Sequence, residues 1–75
     1  ATSFSVSLPR ESTVELSVHD VSGRTVARLA QGRMTAGRRS FTWDASGARD
    51  GMYFVRLVVD GTVRSTRVAL LRDGR

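Results

Sequence analysis

Met52-Tyr53-Phe54-Val55-Arg56-Leu57-Val58-Val59, Asp60-Gly61, Thr62-Val63-Arg64-Ser65-Thr66-Arg67-Val68-Ala69-Leu70-Leu71 is the stretch on which the fold turns. Two runs rich in β-branched and aromatic residues flank an Asp-Gly pair, and a two-residue type I′ turn needs positive φ at both central positions, which Asp and Gly tolerate. Closing the turn there sets a register: Tyr53 opposite Val68, Val55 opposite Thr66, Leu57 opposite Arg64 and Val59 opposite Thr62. Tyr53, Val55, Leu57, Val59, Val68 and Leu70 then share one face, the expected core side. The other face carries Phe54, Val58, Val63, Ala69 and Leu71 among Arg56, Ser65 and Arg67, more apolar than a purely solvated face requires.

Working back toward the N-terminus, Phe4, Val6 and Leu8 alternate with serines until Pro9 removes a backbone donor. Val14, Leu16 and Val18 alternate with Glu15, Ser17 and His19, and both segments read as half-buried antiparallel strands. Asp20-Val21-Ser22-Gly23 is a turn, and residues 25–30 return as a third strand. Val26 and Leu29 are three apart, so strict alternation fails and a bulge or a change of sheet is expected. Residues 31–37 read as a loop, Phe41 and Trp43 alternate with Ser40 and Thr42 in a fourth strand, and polar residues 44–51 form a connection between sheets.

Six strand-like segments without a helical period predict an all-β fold, an immunoglobulin-like β-sandwich of six to seven antiparallel strands, with a small barrel as the alternative. A chain of 75 residues is read as one domain, 1–75. Such a domain buries only about 60% of the surface that its unfolded chain exposes. With no cysteine and one histidine, neither disulfides nor a zinc cluster is expected to assist. No apolar run is long enough to span a bilayer, and no N-terminal signal peptide is seen, which fits a domain taken from, or ending, a larger exported protein.

The net charge of +5 comes from twelve basic residues, all arginine. They are spread along the chain with only Arg38-Arg39 adjacent, a distribution that argues against a nucleic-acid partner. No catalytic residues are expected: His19 points away from the core beside Glu15 and Ser17, without the orienting group that a nucleophilic site requires. Asp44 and Asp50 flank a glycine-bearing loop but match no metal-loop spacing, and no phosphate-cradling glycine pattern occurs, so no metal, cofactor or small-molecule substrate is expected. Trp43, in phase with Phe41, reads as a core aromatic; a sugar platform on Trp43 and Tyr53 is the weaker alternative.

Taken in order, Phe4-Ser5-Val6-Ser7-Leu8-Pro9, Val14 to Arg24 with its Asp20-x-x-Gly23-Arg24 turn, Ala36-Gly37, Trp43-Asp44, Gly51-Met52-Tyr53-Phe54 and Val68-Ala69-Leu70-Leu71 form a recognisable set. The chain resembles bacterial C-terminal immunoglobulin-like domains, those of the type IX secretion sorting group (type A) and the related Ig-like domain of the flagellar hook-capping protein. The resemblance implies that Asp20 and Gly23 support a hairpin turn, that Trp43-Asp44 ends a core strand, and that Gly51-x-Tyr53 opens the penultimate one.

The short 44–51 connection favours the sorting branch. The implied function is a non-enzymatic C-terminal sorting or anchoring domain that directs a passenger through an outer-membrane secretion system to the surface of a Gram-negative-type bacterium. The alternative is a structural module that self-associates or stacks in an extracellular fibre. In either case the expected partner is protein: secretion machinery, a preceding domain or like subunits. The expected contacts are Phe54, Arg56, Val58, Val63, Arg67, Leu71 and Arg72.

Overall fold

The computed structural model describes residues 2–45 and 47–70. It contains β1 (Thr2–Leu8), β2 (Ser12–Asp20), β3 (Thr25–Met34), β4 (Gly37–Trp43), β5 (Gly51–Val59) and β6 (Thr62–Leu70). All pairings are antiparallel and fall into two sheets, β1-β4 and β3-β2-β5-β6. This is an Ig-like β-sandwich and not a barrel.

The β5–β6 hairpin has the register predicted from its turn. Asp60 and Gly61 adopt φ of 48° and 87°, as type I′ geometry demands. Asp60 has a second task. Its Oδ1 accepts the Thr13 amide at 2.8 Å while its own amide donates to the Thr13 carbonyl at 2.9 Å, fastening the turn to β2.

The core is laid down by β2, whose Val14, Leu16 and Val18 are essentially without solvent exposure because β3 and β5 flank the strand and the small sheet covers it. Leu16 and Val18 pack with Trp43, Ala45, Tyr53 and Val55; Val14 packs with Val6 and Leu8. Each such aliphatic side chain contributes about 1.5–3 kcal/mol by leaving water. Of the face predicted from the hairpin, Tyr53 and Val55 are buried, while Leu57, Val59, Val68 and Leu70 are half-buried against these clusters.

Of the two expectations for this part of the chain, the bulge in β3 holds and the loop over 31–37 does not. The broken alternation reflects two bulges: Leu29 falls between the pairs Leu16–Ala30 and Ser17–Arg28, and Val26 between Val18–Ala27 and His19–Thr25. Residues 31–37 are not a loop. β3 continues to Met34 because Ser12 to Glu15 supply partners for Gln31 to Met34, and its polar composition is that of an edge strand wetted on one side. Only Thr35 and Ala36 separate β3 from β4, and there the chain crosses from one sheet to the other. An Arg39 Nη2 donates to the Thr35 carbonyl at 3.3 Å and to its hydroxyl, bracing the crossing. The 44–51 connection makes the expected crossing between sheets, from β4 to β5.

Candidate protein-interaction surface

The outer face of the four-stranded sheet is a grid of cross-strand rows. In one row Glu15 on β2 lies beside Val58 on β5 and Val63 on β6; in the next, Ser17 lies beside Arg56 and Ser65; in a third, His19 lies beside Phe54 and Arg67. The pairing therefore brings Phe54, Arg56, Val58, Val63 and Arg67 onto one surface. Val63 is 50% exposed, Arg56 and Arg67 are exposed, and Phe54 and Val58 are half-buried. The other two expected contacts, Leu71 and Arg72, lie outside the described residues. Arg28, opposite Ser17, joins this face. No sequence signal placed it there, since the two bulges reset the alternation of β3.

His19 is held between two hydroxyls on this face, with Nε2 2.9 Å from Ser17 Oγ and Nδ1 3.2 Å from Thr25 Oγ1. The imidazole thus ties β2 to β3 across the bulge. A serine–imidazole contact alone does not make a nucleophile, since the third member, which should stabilise a cationic ring, is here a neutral threonine hydroxyl.

At the end of the sandwich away from Asp60, the Trp43 and Tyr53 rings meet edge to face at 5.1 Å and 67°. Tyr53 also donates its hydroxyl to the Arg49 carbonyl at 2.7 Å, so the ring pins the 44–51 connection as a tyrosine corner does in immunoglobulin-type sandwiches. Both rings are buried, which excludes the sugar-platform reading.

The β2–β3 turn sits beside them. Asp20 Oδ1 accepts the Ser22 hydroxyl at 2.6 Å and the amides of Ser22 and Arg24 at 3.0 Å each; Oδ2 lies 3.4 Å from Arg24 Nε. The Ser22 hydroxyl above all, helped by those amides and the Arg24 charge and opposed by partial desolvation, holds the Asp20 carboxyl below its ordinary range.

A cleft of about 710 Å³ opens between this turn and the 44–51 connection. Asp20 is spent on its own turn, and Asp44 and Asp50 make interactions of their own. Among the described residues no cluster of three metal-ligating side chains forms, and no helix is long and apolar enough to cross a membrane.

The family model of the FlgD Ig-like domain matches residues 1–62, from the first residue of the chain to the first residue of β6. No curated protein and no solved structure matches the chain. With six antiparallel strands in two facing sheets and a family match over most of its length, the chain belongs to the FlgD Ig-like domain family, a structural and not an enzymatic one.

Proposed function

We propose that the chain is a structural Ig-like module that stacks on copies of itself in an extracellular bacterial appendage, through the outer face of β5 and β6. The family match carries this reading, and it supports a structural module of the hook-capping type better than a sorting domain. The face has what self-association needs: an apolar centre at Val58 and Val63, with the Glu15 carboxylate in the same row and the Arg56 guanidinium in the next. Opposite charges on one surface let two copies present acid to base once the valines meet. A contact that does not close on itself propagates a fibre.

Sedimentation equilibrium of the 75-residue chain from micromolar to millimolar concentration tests this. Association that Val63→Glu weakens by about tenfold or more is expected, because the change puts an unpaired charge at the centre of the contact. A chain that stays monomeric throughout the range overturns the proposal. The sorting reading is distinguished by intact mass: a parent protein recovered outside the cell without residues 1–75 has lost a sorting signal, and one that retains them carries a module.

A further inference from the structure

The small sheet has two strands and the large one four, and the cover it gives is uneven. Along the inner face of the large sheet, Val14, Leu16 and Val18 on β2 are buried, Leu57 and Val59 on β5 are half-buried, and Thr62, Arg64 and Thr66 on β6 are exposed. Pairing puts those three on the same face as Val59, Leu57 and Val55, so they are inward-facing residues that no described strand of the small sheet covers. A groove of about 680 Å³ opens here, walled by Val6 and Leu8 of β1, floored by Leu57 and Val59, and bounded by Thr62 and Arg64.

Among the described residues the wall formed by β1 is an open strand edge, and it differs from the other three. Sheets guard their edges against stray pairing with charges, prolines and bulges. β3 has two bulges with Arg28 and Arg33, β4 has Arg38 and Arg39, and β6 has Arg64 and Arg67. β1 is Thr-Ser-Phe-Ser-Val-Ser-Leu, with no charge, no proline and an unbroken register to β4.

We propose that this groove takes one extended acidic segment of another polypeptide, added as a strand to the open edge of β1. Main-chain hydrogen bonds to β1 supply the attachment and alternate side chains the selection, as in strand addition generally. Inward-turned apolar side chains would cover Leu57 and Val59, and an inward carboxylate would meet Arg64. The charge is complementary: Arg64 and Arg10 both border the groove, whereas the Asp60 carboxylate there is already bound to the Thr13 amide. A segment matching the seven residues of β1 extends about 23 Å. The groove lies on the opposite side of the large sheet from Val58 and Val63, so it stands or falls separately from self-association through the outer face.

The probe is a fluorescent heptapeptide, acetyl-Ser-Val-Thr-Val-Ser-Glu-Thr-amide, titrated into the 75-residue chain by anisotropy, with amide exchange followed by NMR. Saturable binding is expected, with slowed exchange at the alternate β1 amides that point away from β4, and replacing the peptide's Glu by Lys should weaken binding by about tenfold. Arg64→Glu should reverse the preference between the two peptides, a result that mere loss of folding cannot produce, and Val63→Glu should leave binding unchanged. Equal binding of the two peptides, protection confined to residues outside β1, or protection of β1 that grows with protein concentration in the absence of peptide would each overturn the proposal.

Discussion

At the residue scale, the tightest local device is Asp20, a single carboxylate that organises the β2–β3 turn by accepting two amides and a hydroxyl. Its consequence is a pH dependence with a definite sign. Because the folded-state carboxyl is held below its ordinary value, the unfolded chain takes up the proton first as pH falls. The stabilisation is therefore fully present above the unfolded value of about 3.9 and is lost as pH falls through the lower, folded value. Urea midpoints of the parent chain and of Asp20→Asn should differ most near pH 6 and converge well below pH 3. A gap that stays constant across that range would mean that the carboxylate charge is not what holds the turn. Asp60 shows the same economy in another form, since it supplies both the positive φ of its turn and the acceptor for Thr13.

At the element scale, β3 shows how a glycine inside a strand differs from one in a loop. Gly32 lies within β3 opposite Val14 at φ 130°, a conformation that L side chains rarely adopt, yet a Cβ built there meets no atom within 4 Å. Substitution should therefore cost backbone strain without a steric clash. Gly32→Ala should destabilise by about 1–3 kcal/mol in urea unfolding, whereas D-alanine introduced by chemical synthesis should cost little. Equal losses from both would point to crowding. The same residue explains why part of this strand was illegible in the sequence. Gln31-Gly32-Arg33 has the composition of a loop, and only its pairing with Val14 and its neighbours, set by β2, makes it strand. The β5–β6 hairpin was legible down to its register because two adjacent residues close it. Of the outer surface, Phe54, Arg56, Val58, Val63 and Arg67 followed from that hairpin alone; Arg28 did not, because bulges leave no trace in alternation beyond the fact that it breaks.

At the scale of the whole molecule, the pairings that build the sandwich join distant parts of the chain. Thr2 pairs with Trp43, Leu8 with Gly37 and Val14 with Val59, while only the β2–β3 and β5–β6 hairpins are local. Ordering so much chain before these contacts form costs loop entropy that the hairpins alone do not repay, and non-local β topologies fold in about milliseconds to seconds for this reason. Trp43 is a built-in reporter, since the residue is 4% exposed and its ring sits where the small sheet meets Tyr53 on the large one. Stopped-flow refolding from urea should show the Trp43 fluorescence change in that time range, because the ring reaches its final surroundings only when β1 and β4 have settled on β2 and β5. If the full change were complete within microseconds, Trp43 burial would have to come from a local contact within 43–53, and the two sheets would have to dock around a corner already formed.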